Sequence, residues 1–258
     1  MKKKRFSFSD HLEITGIYGL PEIKEGDDLT SLFFDALMEK KMTLEDRDAI
    51  VFTSKIISKS EGRVVDLFDV KVSGEAERIA KETEKDPKIV QLILDEAKEI
   101  VRIMKNHVIV ETKHGFVCAN AGVDESNVDE GRAVLLPKDP QRSAERLKKE
   151  IEKQSGKEIS VLISDSFGRA FRDGVTGTCI GVSGIPALLD RRGEEDRFGK
   201  IARITKEAIA DEICAAANLV MGEFKESIPV AIVRGLKLRK SESNIKEIVF
   251  KKEDDLFR

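Results

Sequence analysis

Three short aliphatic runs constrain this chain more than any other feature: "AIVF" from Ala49 to Phe52, "ISVLIS" from Ile159 to Ser164, and "IPVAIV" from Ile228 to Val233. Each is too short for a buried helix, rich in β-branched residues and bounded by polar or turn-forming positions, so each reads as a buried strand. Amphipathic stretches separate them, and strands alternating with helices along the whole length predict α/β or mixed α+β packing. The strands give way to polar residues. Ser54, Lys55 and Lys59 come after the first, in what reads as a polar turn, and Ser164-Asp165-Ser166 ends the second.

Between the strands, Ser73 and Asp86-Pro87 are good helix starts, and Ile89, Leu92, Ile93, Ala97, Ile100 and Val101 recur at helical spacing. "HVIVETKHGFVCAN" alternates and turns at Lys113-His114-Gly115, as a hairpin would. A helix is expected from about Pro140 to Gln154, stopped near Gly156, and another over "ITKEAIADEICAAANLVMGE", stopped at Gly222 with Glu223 beside it. Nothing separates a tail or linker, so the 258 residues read as one unit or as two intimately packed subdomains, with residues 1–10 a basic N-terminal extension.

Bulk properties narrow the function classes. Formal charge is -3, so no overall field marks a nucleic-acid or membrane-surface protein, and any anion site must be local. MKKKRF is basic, but no unbroken apolar segment comes after it, so neither a signal peptide nor a membrane anchor is expected and the chain reads as cytoplasmic. Cys118, Cys179 and Cys214 lie far apart among small or apolar neighbours, which suits buried reduced thiols better than disulfides or nucleophiles. His11, His107 and His114 have no zinc-ligand spacing. Charged residues make up 36% of the chain while Gln occurs only at 91, 141 and 154, a bias associated with hot environments.

The stretch "NAGVDESNVDEG", Asn120 to Gly131, holds four carboxylates, two amides and a serine at the exit of a strand. Asp124, Asp165 and Glu223 all come after buried elements that could aim them at one point, and hard oxygen donors suit Mg²⁺ or Mn²⁺ completed by water and phosphate. Taken singly, each acid could equally cap a helix or form a turn, Glu223 above all. The acidic loop lacks the ligand order of an EF-hand. "GEEDRFGKI" has the wrong spacing for a Walker A and places Ile201 where Ser or Thr is needed, and the glycines at 174, 177, 181 and 184 are not a Rossmann fingerprint. Any nucleotide is therefore held by another scaffold. Lys55, Lys59, Arg169 and Arg172 supply cations, with Arg suited to gripping carboxylate or phosphate and a turn at Gly168 expected to aim at least one guanidinium at the reacting group.

In order along the chain, "GLPEIKEGDDL", "SKIISKSEGR", "NAGVDESNVDEG", "ISDSFGRAFRDGVTGTCIGVSG" and "ADEICAAANLVMGE" resemble the coenzyme F420-0:L-glutamate ligase family over nearly the whole chain. The resemblance implies that family's fold, with mixed sheets and packed helices, in homodimers. It also implies a GTP-dependent amide ligase that joins L-glutamate to the lactyl carboxylate of F420-0, then commonly a second in γ-linkage, using Mg²⁺ or Mn²⁺ with a potassium-type ion (K⁺) often assisting. By motif, Asp124, Asp165, Ser166 and Glu223 match metal positions. Gly19, Leu20, Pro21, Ser54, Lys55, Lys59, Asn127, Met221 and Gly222 match nucleotide positions. Arg169 and Arg172 are the candidates for gripping the acceptor, an inference from their chemistry. Phe167 stands where a polar residue is common and Asp173 where a second Arg can occur. These departures keep open a same-chemistry ligase on a different carboxylate acceptor, beside a non-catalytic metal and nucleotide binder and a metal-dependent phosphohydrolase.

Overall fold

A computed structural model describes residues 10–255 and 257; of the basic extension, only Asp10 falls among them. In chain order the elements are β1 (Glu13–Ile17), α1 (Leu29–Glu39), β2 (Ala49–Thr53), α2 (Ser54–Ser60), β3 (Val64–Asp66), α3 (Gly74–Thr83), α4 (Pro87–Glu96), β4 (Ala97–Met104), β5 (His107–Thr112), β6 (Val117–Ala119), β7 (Arg132–Val134), α5 (Pro140–Ser155), β8 (Ser160–Arg169), β9 (Arg172–Ser183), β10 (Leu189–Asp190), β11 (Lys206–Glu207), α6 (Ile209–Met221) and β12 (Val230–Arg234). The fold is mixed α/β, as the alternation of strands and helices requires.

The three aliphatic runs sit side by side. They become β2, β8 and β12 of a five-stranded sheet ordered β1-β12-β2-β8-β9, in which only β2 and β8 are parallel. Ile50, Val51, Phe52, Leu162, Ile163 and Ala231 are completely buried, because helices and loops cover the sheet. Helices α5 and α6 pack on β9 at its glycines. A Cβ on Gly177 would lie 2.6 Å from the Cys214 carbonyl oxygen, and one on Gly181 would lie 2.3 Å from that of Pro140. Only a strand without side chains at these points admits the helix backbones so closely.

A second apolar cluster is built by α3 and α4 over the antiparallel sheet β4-β5-β6, around Ile79, Ile93, Val108 and Val110. Helix entry uses the expected starts at Ser73 and Asp86, and Asp139 caps the helix expected from about Pro140. Ser73 Oγ accepts from the Ala76 N–H, Asp86 from Lys88 ahead of α4, and Asp139 from Arg142 ahead of α5, which stops at left-handed Gly156.

Four local expectations differ. The helical spacing through Val101 does not hold past Glu96: residues 97–104 form β4, whose pairing with β5 is interrupted by two irregularities that blur its alternation. The polar stretch after β2 is a two-turn helix, α2, rather than a turn. Strand β8 does not end at Ser166 but runs to Arg169, and the hairpin reverses at Ala170-Phe171 instead of Gly168, with Phe171 taking a left-handed φ of 60°.

Candidate active site

Parallel neighbours β2 and β8 run in register to Thr53 opposite Ser164, and the cleft opens where that pairing stops, at the carboxyl end of β2. Loops and helix starts beyond the carboxyl ends of parallel strands are where α/β folds bind ligands, since the backbones stop pairing there and side chains converge. From β2 the chain turns at once into α2, setting Ser54, Lys55 and Lys59 on the cleft wall. From β8, Asp165 points back toward α2, and the Ser54 hydroxyl donates to its Oδ1 at 2.6 Å.

Asp124 arrives from the acidic loop along a strained path. Asn120, Ala121 and Gly122 all have positive φ, and Ala121 adopts this left-handed conformation while buried. Such backbone is costly for alanine and persists only where its surroundings fix it. Here the Asn120 side-chain oxygen accepts from the Val108 N–H, and Asp124 exchanges backbone hydrogen bonds with Val134 at 3.0 and 2.8 Å. The Lys55 ammonium then donates to Asp124 Oδ2 at 2.7 Å, and to the Ser126 hydroxyl and carbonyl at 2.8 and 3.1 Å. Lys59 is almost fully buried; its ammonium pairs with Glu22 and donates to the Asn127 carbonyl at 2.7 Å. Glu223, just past α6, accepts from the Ser166 hydroxyl at 2.7 and 2.8 Å and from the Asn218 amide at 2.8 Å.

One cleft of about 590 Å³ is lined by Leu20, Pro21, Ser54, Lys55, Lys59, Asp124, Asn127, Asp165, Ser166, Met221, Gly222 and Glu223. Gly19 is not in the lining, although Leu20 and Pro21 are. Arg169 and Arg172 are elsewhere: both are exposed beside the hairpin tip, with Arg169 Nη2 donating to the Asp173 carbonyl at 3.3 Å. A larger groove of about 980 Å³ lies between the end of α5 and residues 236–243, and it gathers none of these residues.

The two aspartates differ in how tightly they hold a proton. Burial raises Asp165 from the ordinary 3.8 to about 6, against the Ser54 hydroxyl and the Ser166 N–H, and the negative charge of Asp124 adds to the rise. Burial also pushes Asp124 upward, but its hydrogen bonds from Lys55 and Ser126 outweigh that, leaving its pKa below the ordinary value. Burial also pushes the nearby Cys118 thiol up to about 12 and the Cys179 thiol well above its ordinary value, and all three cysteines are buried and free of disulfides.

Among the described residues, no three His, Cys, Asp or Glu side chains are close enough together to hold a cation as they stand. The donor chemistry nonetheless fits a hard divalent ion. Asp165 is a carboxylate that destabilises its own charge, bonded to a hydroxyl and not to a cation, with Asp124 near enough to be felt. Glu223 reaches toward it through Ser166, the next residue after Asp165. A divalent ion would relieve the burial penalty that Asp165 bears alone.

A family model described as F420-0:Gamma-glutamyl ligase matches residues 18–235, a span that includes every candidate residue named above. The chain belongs to the F420-0:gamma-glutamyl ligase family. Among its relatives, the Coenzyme F420:L-glutamate ligase of Methanocaldococcus jannaschii is 54% identical over 215 residues, 83% of this chain and 86% of that one. The protein of the same name from Methanothermobacter thermautotrophicus is 43% identical over 249 residues, 96% of this chain and 99% of its own. That from Archaeoglobus fulgidus is 42% identical over 247 residues, 96% of each chain.

Three cleft residues escape a reading of the sequence alone: Glu22 paired with Lys59, Ser126 between Lys55 and Asp124, and Asn218 on Glu223. All three lie inside motifs already singled out. What the motifs lack is the pairing, which only the fold supplies.

Proposed function

We propose that this chain is a GTP- and divalent-metal-dependent ligase that forms an amide between L-glutamate and the lactyl carboxylate of F420-0, and that it can extend the product by a further γ-linked glutamate. Family membership supports the substrate class. The observation that carries the chemistry is a single cleft joining Asp124, Asp165 and Glu223 to the ammonium groups of Lys55 and Lys59.

A carboxylate is a poor electrophile, so activation precedes amide formation. The γ-phosphoryl group of GTP passes to a carboxylate oxygen of the acceptor, giving an acyl phosphate and GDP; the amine of glutamate then attacks the acyl carbon, phosphate leaves with the bonding pair, and the nitrogen loses a proton. Both steps crowd anions together. Mg²⁺ or Mn²⁺ held by Asp124, Asp165, Ser166 and Glu223 would supply charge neutralisation at the transferring phosphoryl group, and K⁺ would add to it. Lys55, poised on Asp124, can exchange that partner for a phosphate oxygen, and Lys59 is fixed in the wall between α2 and Asn127. Leu20, Pro21 and the Met221-Gly222 end of α6 form the sides against which the nucleoside would rest. Arg169 and Arg172 serve the acceptor only where it extends along the hairpin toward its tip. The family's dimer would form around this unit.

Phosphate release from GTP tests the reading. A ligase releases phosphate only when glutamate and acceptor are both present, a hydrolase needs neither, a binding protein releases none, and a ligase for another acceptor responds to that acceptor and not to F420-0.

A further inference from the structure

Beside the cleft, along β8 and β6, lies an apolar slot of about 190 Å³ that the charged site does not use. Its walls include Phe116, Val117, Phe167, Ile248, Val249 and Phe250. The Phe116 and Phe167 rings meet edge to face with centroids 6.3 Å apart and planes at 64°. Phe167 comes two residues after Asp165 on β8, and Val117 precedes cleft-lining Ala119 by two on β6, so slot and cleft are roughly 7 Å apart along each strand. Thr178, Asp211 and Asp255 interrupt the wall with polar groups, and Asp211 Oδ1 accepts from the Cys179 N–H at 2.9 Å.

Resting on the ligase reading above, we propose that this slot receives the flat deazaflavin ring of the acceptor, while the acceptor's carboxylate lies at Asp165. The other two substrates are the wrong chemistry for it. Glutamate carries two carboxylates, which an apolar slot would desolvate without compensation. The triphosphate's cations, Lys55 and Lys59, are on the far side of Asp165, on α2. A fused aromatic ring gains burial and edge-to-face contact with Phe116 and Phe167, and its imide N–H finds an acceptor in Asp211. Phe167, standing between the charged site and the slot, is thereby a specificity residue. The segment that closes the slot, Ile248 to Phe250, lies beyond the stretch matched by the family model, so ring selection is separable from the shared chemistry.

Two variants and two acceptors test this. Phe167→Ala removes a wall, and Phe250→Ala removes one that is largely exposed. Acceptor KM is measured by glutamate-dependent phosphate release, using F420-0 and a truncated acceptor that keeps the phosphodiester and carboxylate but lacks the ring. Both variants should raise the KM for F420-0 by roughly tenfold, with the KM for GTP and for the truncated acceptor unchanged. Equal effects on both acceptors, or none, overturn the slot assignment. Calorimetric titration of F420-0 into wild type and both variants is run in parallel. If wild type releases no phosphate with any acceptor, the ligase reading fails while the titration still judges the slot: weaker binding by both variants upholds it, and equal binding overturns it.

Discussion

Asp165→Asn should make the metal-free protein more stable while removing its activity. The native carboxyl titrates near 6 rather than 3.8, so it holds its proton more tightly folded than unfolded, and ionising it costs the folded state. The stability it contributes is full below about pH 4 and is lost as pH rises through 6, by about 1.4 kcal/mol for each unit between the two values, or about 3 kcal/mol at most. Partial exposure to the cleft reduces this to about 1–3 kcal/mol. Asparagine keeps an oxygen for the Ser54 hydroxyl and carries no charge to desolvate. For a chain of this length each kcal/mol is worth roughly 2–4 °C in Tm. Thermal unfolding in chelator at pH 4 and pH 8, monitored by circular dichroism, should show the variant gaining several degrees at pH 8 and nothing at pH 4. The same carboxylate makes protons compete with the metal, so wild-type affinity for Mn²⁺ should fall as pH drops below about 6. A variant less stable at both pH values, or a gain independent of pH, would refute the assignment of burial as the cause.

Other expectations concern neighbouring parts. Lys59→Met keeps the buried stem but loses the ammonium that reaches Asn127, so calorimetry should show GTP binding weakened by about 1–3 kcal/mol. Gly177→Ala drives a methyl into the Cys214 carbonyl and should cost about 1–3 kcal/mol in denaturant unfolding, with the KM for GTP unaffected in whatever remains folded. Fully buried Asp48 accepts from Arg234 at 2.9 and 2.8 Å, tying the start of β2 to the end of β12, and Asp48→Ala should destabilise by about 2–4 kcal/mol by leaving a half-buried guanidinium short of a partner.

Much of the fold is legible in the residues. Strands β2, β8 and β12 announce themselves by unbroken aliphatic runs, and the helix starts by Ser73, Asp86-Pro87 and Pro140, because burial and capping are local in sequence. The β4 strand is hidden for a physical reason: two irregularities in its pairing shift its side chains out of strict alternation, and what remains of "AKEIVRIM" matches a helical period as well. The seven residues of α2 are too few, and too rich in serine, to show a period at all. The position of the hairpin turn is equally obscure, since Phe171, not Gly168, adopts the left-handed conformation. At the site, the motifs identify acids and lysines, but the gathering of cleft residues depends on β2 and β8 being parallel neighbours although more than a hundred positions separate Thr53 from Ser164. The exclusion of Arg169 and Arg172 from the cleft comes from the continuation of β8 beyond Ser166, which no spacing rule reveals.

The most direct test is the anomalous signal of Mn²⁺ in crystals grown with a non-hydrolysable GTP analogue. The account places a manganese peak in the cleft, within direct or single-water reach of the Asp124, Asp165 and Glu223 carboxylates, with the Lys55 ammonium released from Asp124 toward a phosphate oxygen. A peak in the groove between α5 and residues 236–243, or one that leaves Asp165 without contact while the nucleotide binds elsewhere, would contradict it.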